Sequence, residues 1–158
     1  MVEFYTTLNS NVHRGTYKIA EKATFEYENS RKEIANFINC STNEVIFTKS
    51  ATESINLLAN SLANSILKNG DEIIISEMEH HSNIIPWQIL SEKYKLKLKY
   101  IPISKKGNLK LENITNLITD KTKLISITQM SNLLGEINPI EDIISIAKNN
   151  NILTIIDA

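Results

Sequence analysis

Short, strongly apolar runs constrain this chain most: Ile73-Ile74-Ile75, Leu124 to Ile127, and Ile152 to Ile156. Each is strand-sized and far too brief to span a membrane. Between them lie segments whose apolar residues recur at helical spacing. A strand that is apolar on both faces must be covered on both sides, which chains achieve with a parallel sheet and crossover helices. The alternation therefore predicts an α/β fold, a mostly parallel sheet with helices on both faces. Neither a linker nor an internal repeat interrupts residues 1–158, so a single unit is expected.

The finer pattern assigns the elements. Residues 17–39 read as a helix with Tyr27, Ile34, Phe37 and Ile38 on one apolar face. Val45-Ile46-Phe47 reads as a short strand. Ser50 with Glu53 forms a capping box ahead of a helix carrying Ile55, Leu58, Ala59 and Leu62, which Gly70 closes. Pro86 opens a helix carrying Trp87, Leu90 and Tyr94. A strand at 98–103, a turn at Lys105-Lys106-Gly107 and a short helix at 111–118 come next. Asn138-Pro139 opens another helix, with Ile140, Ile143, Ile144 and Ala147 inward. The final strand reads as buried, and the chain stops two residues after it, so truncation is expected.

Composition removes several function classes. Seventeen basic against eighteen acidic residues leave a net charge of -1, which offers nucleic acid no electrostatic footprint. One cysteine, Cys40, excludes a disulfide framework and fits a reducing compartment. The four glycines, at 15, 70, 107 and 135, cannot form a G-x-G-x-x-G or Walker loop. The N-terminus carries no secretory signal pattern.

Ligands of open parallel sheets bind beyond the strands' carboxyl ends, and four features fall there. Thr48-Lys-Ser-Ala-Thr-Glu53 brings hydroxyls and free backbone N–H groups to a helix N-terminus, which suits a phosphate as well as a simple cap. His80 and His81 follow a strand and could serve as acid–base groups, as a flat platform, or as one capping and one exposed histidine. Adjacent side chains diverge, and with no clustered cysteine this argues against a metal site. Asn132 lies in the turn after the 124–127 strand. Asp157 is a carboxylate directly after Ile155-Ile156 that needs a cationic or hydrogen-bonding partner. A phosphate cradle, a ring face, a hydrogen-bond donor and an acid for a ring nitrogen are the four demands of pyridoxal 5'-phosphate.

The stretches Asn9 to Gly15, Thr52 to Leu57, Gly70 to Ile74, Glu77 to Trp87, and Ser131 to Gly135 with Asn138-Pro139 carry a resemblance. The chain resembles the cysteine desulfurases of the sulfur-mobilisation type, grouped with selenocysteine lyases among fold-type I, class V aminotransferase enzymes. That resemblance implies part of the large cofactor-binding domain of such an enzyme. It implies that Thr52, with the backbone around Ala51, binds the phosphate of pyridoxal 5'-phosphate. It further implies that His80 stacks on the ring and assists proton transfer, Asn132 hydrogen-bonds the phenolic oxygen, and Asp157 pairs with the pyridinium nitrogen. His13 and Arg14 match a motif beside the active site and subunit interface. The implied substrate is L-cysteine, the implied assembly a homodimer, and the implied partner a sulfur-acceptor protein of iron–sulfur assembly. The implied location is the cytoplasm, or the organelle stroma in a plastid-bearing source.

Two positions depart from the family pattern: Ala51 replaces a frequent second threonine, and Gln129 a frequent histidine. The resemblance also implies that the Schiff-base lysine, nucleophilic cysteine and substrate-carboxylate arginine lie outside these residues. Cys40 matches none of the catalytic positions. A selenocysteine lyase or another class V aminotransferase-like enzyme, and a non-catalytic remnant or split subunit, are the competing expectations.

Overall fold

The computed structural model describes residues 1–158, which divide into two compact units, Met1–Phe47 and Thr48–Ala158. In the first unit a π-helical turn (Phe4–Leu8) precedes helix α1 (Lys18–Phe37), and a 3-10 turn (Thr42–Glu44) follows it. The buried positions of α1 are Ala20, Ala23 and Ala35, whereas Phe37 is 90% exposed and Ile34 and Ile38 are exposed too. The expected apolar face is thus not the packed one. Close approach selects the alanine side instead: a Cβ added at Gly15 would stand 2.3 Å from the Ala20 methyl group. Tyr27 is half-buried in an aromatic cluster, 5.6 Å from the His13 ring and 5.1 Å from Phe47, with the Arg31 guanidinium over both Tyr27 and Phe47. Val45-Ile46-Phe47 is extended but pairs with no strand. Its first carbonyl is taken by the Arg31 guanidinium instead.

The second unit is a four-stranded, wholly parallel sheet. Its strands are β1 (Glu72–Ser76), β2 (Lys97–Ile101), β3 (Thr122–Thr128) and β4 (Leu153–Asp157), in the order β2-β1-β3-β4. Helices α2 (Ala51–Ser65), α3 (Ile85–Tyr94), α4 (Leu111–Leu117) and α5 (Ile140–Asn149) connect or flank them. Alternation along β1 explains its unbroken isoleucines. Ile73 and Ile75 pack with Ile55, Ala59, Trp87, Leu90 and Leu124 on the α2–α3 side. Ile74 packs with Ile114, Ile125, Ile127, Ile143 and Ala147 on the α4–α5 side. Each such isoleucine contributes about 1.5–3 kcal/mol on burial.

Three local expectations need correction. The Ser50 hydroxyl accepts from the Glu53 N–H (3.2 Å) as a cap should, but the Glu53 carboxylate reaches back to the Lys49 N–H (2.6 Å) rather than to that of Ser50. Gly70 does not end α2, which stops at Ser65; with φ +87° it turns the chain into β1 and donates to the Lys95 carbonyl. β4 is half-exposed rather than buried, because it has a sheet neighbour on one side only.

At the amino ends of the strands, Glu72 is buried beneath a charge pair. Lys99 Nζ lies 2.6 Å from its Oε2, and the Thr119 and Thr122 hydroxyls donate to the same oxygen. Burial pushes the carboxyl up, but Lys99 and the two threonines outweigh it and hold Glu72 below its ordinary range. This network faces away from the carboxyl ends, where the loops of interest gather.

Candidate functional site

All four strands point the same way, so Ser76, Ile101, Thr128 and Asp157 end at one edge of the sheet. A cavity of about 410 Å³ opens there, lined by Glu77 to His81 after β1, Ile103 after β2, and Ser131 to Leu134 after β3. The β2 and β3 loops brace each other. Asn108 donates to the Glu136 carboxylate, and Gly107 lies against Leu134, whose Cδ1 would be 3.0 Å from an added Cβ. The Glu77 carboxylate accepts from the Ile103 N–H at 3.1 Å, tying the β1 loop to the β2 loop.

His80 is the N-cap of a 3-10 turn (His81–Asn83). Its Nδ1 accepts from the Ser82 N–H at 3.2 Å and lies 2.9 Å from the Ser82 hydroxyl. Because Nδ1 is used as an acceptor, the neutral ring carries its proton on Nε2. The ring is exposed and leans edge-on toward His81, 6.1 Å between centroids. Asn132 sits exposed at the tip of the Met130–Ile137 loop. That loop is closed by Ser131, whose Oγ accepts from the Leu134 N–H, and by Gly135 at φ +67°. Asn138 anchors its far end, donating from its side chain to the Thr128 carbonyl at 2.8 Å.

Asp157 is half-buried opposite Thr128 in the β3–β4 register, and no lysine or arginine pairs with it. Ala51 and Thr52 open α2, and neither backbone N–H has a protein acceptor. The structure thus brings His80 and Asn132 into one cavity and sets Asp157 at the neighbouring strand end. Ala51 and Thr52 do not line that cavity. His13 and Arg14 belong to the first unit. There His13, at φ 66°, contacts Glu28 at 3.0 Å through Nε2 and accepts from no one, while Arg14 is exposed. Cys40 is half-buried with its thiol on the Ser41 carbonyl. No group of three His, Cys, Asp or Glu side chains could hold a metal ion, and no helix is long and apolar enough to cross a membrane.

A set of residues not anticipated as functional lies just below. Glu79 is buried and accepts from the Ser76 hydroxyl, from Asn83 Nδ2 (2.7 Å) and from the Thr128 N–H (2.9 Å). Asn83 Oδ1 accepts in turn from Trp87 Nε1 (3.0 Å) and Ser126 Oγ (2.6 Å). Burial pushes the Glu79 carboxyl up; the three donors pull it back, and the Asp157 charge adds to the upward push. The signal for this network was the four-residue spacing of Glu79, Asn83 and Trp87, together with serines at 76 and 126 inside otherwise apolar strands.

A parallel sheet that gathers an imidazole, an amide and an unpaired carboxylate at its carboxyl edge is an open α/β scaffold, the class whose ligands bind at that edge. The chain belongs to the aminotransferase class-V family, whose model matches residues 1–158. Among curated relatives, a probable cysteine desulfurase of Streptomyces coelicolor is 47% identical over 161 residues, covering 99% of this chain and 38% of that protein. A cysteine desulfurase of Escherichia coli is 44% identical over 156 residues, covering 98% of this chain and 38% of that one. The chain therefore spans 38% of the length of these curated relatives. In three dimensions it is similar to the apo cysteine desulfurase of Thermococcus onnurineus, with a TM-score of 0.94 at 40% identity over 99% of this chain and 39% of that one. It is also similar to SspA in complex with cysteine, with a TM-score of 0.90 at 28% identity over 99% of this chain and 44% of that one.

Proposed function

We propose that residues 1–158 are the incomplete large domain of a pyridoxal 5'-phosphate-dependent cysteine desulfurase. In this reading the enzyme removes sulfur from L-cysteine, releases alanine and passes the sulfur on as an enzyme-bound persulfide. The observation that carries it is the meeting of His80 and Asn132 in one cavity, beside a carboxylate at Asp157 that has no cation of its own. The donor set suits the group: a flat ring face, an amide, an uncommitted acid and a helix N-terminus with free N–H groups.

When bound, pyridoxal phosphate supplies an electron sink that acidifies the substrate's Cα–H. The chain's own residues divide the remaining work. Asp157 accepts a hydrogen bond from the protonated ring nitrogen and favours that charged form. His80 offers one ring face for stacking, and its Nε2–H is available for proton transfer while Nδ1 stays on Ser82. Asn132 donates to the phenolic oxygen. Ala51 and Thr52 hold the phosphate through backbone N–H groups and one hydroxyl at the positive end of α2. His13 and Arg14 serve the substrate side or the subunit interface. The complete enzyme is a cytoplasmic homodimer that delivers sulfur to an acceptor protein of iron–sulfur assembly.

The test uses the complete polypeptide containing these residues. It should retain pyridoxal phosphate through purification and convert L-cysteine to alanine. His80→Ala should shift the cofactor absorbance band and slow desulfuration. A protein that retains no pyridoxal phosphate and yields no alanine would overturn the reading.

A further inference from the structure

Glu79 is buried directly behind the histidine loop, and no lysine, arginine or histidine pairs with it. A carboxylate withdrawn from water without a cation is unfavourable, and an apolar side chain would close such a turn more simply. What the carboxylate does achieve is geometric. Its donors come from the last residue of β1 (Ser76), the 3-10 turn after His80 (Asn83), and the last residue of β3 (Thr128). Thr128 in turn lies opposite Asp157, with its hydroxyl 3.3 Å from the Asp157 carbonyl. His80 is the next residue along the chain from Glu79. One side chain thus ties the backbone that carries His80 to the strand end that stands beside Asp157.

We propose that Glu79 is a positioning residue: by clamping the carboxyl ends of β1 and β3 together, it fixes where the His80 ring stands relative to the Asp157 carboxylate. The proposal rests on the reading of His80 and Asp157 as the two groups that hold the pyridine ring. Two substitutions separate the clamp from the residue's bulk. Glu79→Gln keeps an acceptor oxygen for Asn83 and Thr128, and it can turn its amide toward the Ser76 oxygen. Glu79→Ala removes every contact.

Both variants are made in the complete chain and read in two forms. In the cofactor-free protein, labelled histidine gives the imidazole signals of His80. These should move and broaden in Glu79→Ala and overlay the parent in Glu79→Gln. In the pyridoxal phosphate-loaded protein, the induced circular dichroism of the cofactor band should collapse in the alanine variant and return in the glutamine variant. For the alanine variant kcat should fall about tenfold to a hundredfold with KM changed by less than about twofold, the pattern of a misplaced group rather than a lost binding contact. Should Glu79→Ala not fold, Ser76→Ala removes one donor and should reproduce the same changes in smaller measure. Unchanged His80 signals and dichroism in the alanine or Ser76→Ala variant would overturn the proposal, as would a glutamine variant no better than alanine. If the parent retains no pyridoxal phosphate, the functional reading fails by itself, and the His80 signals of the cofactor-free protein still decide for or against the clamp.

Discussion

Replacing Asn83 with alanine should be far more damaging than its size suggests. The residue is fully buried and uses both ends of its amide: Nδ2 on Glu79, and Oδ1 shared by Trp87 Nε1 and Ser126 Oγ. Truncation orphans the indole N–H at about 1–3 kcal/mol and removes a hydrogen bond to a carboxylate at about 1.5–3 kcal/mol. It also leaves the Ser126 hydroxyl without its acceptor, at about 1 kcal/mol. A water molecule entering the space vacated by the amide would recover part of the loss, so about 3–5 kcal/mol of unfolding free energy should disappear. Urea unfolding of Asn83→Ala, followed by far-ultraviolet circular dichroism beside the exposed Gln88→Ala, measures this. The control should stay within about 0.5 kcal/mol of the parent. The Asn83→Ala and Ser126→Ala pair should be clearly non-additive, since the first substitution has already stranded the hydroxyl. A loss under about 1 kcal/mol for Asn83→Ala, or simple additivity with Ser126→Ala, would refute the network as the source of stability here.

Other substitutions probe the remaining features. Asp157→Ala in the complete chain should weaken pyridoxal phosphate binding about tenfold to a hundredfold, the worth of one charge-assisted hydrogen bond; a cofactor titration that superimposes on the parent would remove Asp157 from the site. Glu72 titrates below its ordinary value of 4.5, so its stabilising pairing is whole above that pH and is lost as pH falls through the lower folded value. Glu72→Gln should therefore destabilise at about pH 7 and progressively less toward about pH 3, and an equal loss at both would contradict the pairing. Gly107→Ala forces a side chain onto φ +87° against Leu134, and thermal unfolding should report a loss of about 1–2 kcal/mol. Nitrogen shifts of the neutral His80 imidazole should show its proton on Nε2; a neutral ring with the proton on Nδ1 would mean that the Ser82 cap is not formed.

The sheet was legible in the sequence because its signal is local. Ile73-Ile74-Ile75 must bury both faces wherever it goes, and the helical spacing of Ile143 and Ala147 fits only one side of such a sheet. What misled was packing selected by contact rather than by hydrophobicity. The large apolar residues of α1 announce a buried face, yet Gly15 and Ala20 determine the packed one by letting two backbones come close. Val45-Ile46-Phe47 has strand composition, but pairing depends on a neighbour that no local pattern encodes. The histidine, the asparagine and Asp157 stood out as polar residues after apolar strands. Glu79 did not, because the sequence shows a charged residue in a loop and hides that its partners lie on β1 and, 49 residues onward, at the end of β3.

The indole at the bottom of that network has an optical consequence. Trp87 is the one tryptophan in these residues, fully buried, with its N–H held by Asn83, which also holds Glu79. Its fluorescence from this segment reports a single place, two hydrogen bonds removed from the carboxylate that braces the histidine loop. Emission should be blue-shifted in the intact protein and should move to longer wavelength when water reaches Asn83. Loosening beneath the pocket can thus be followed in real time with no label attached.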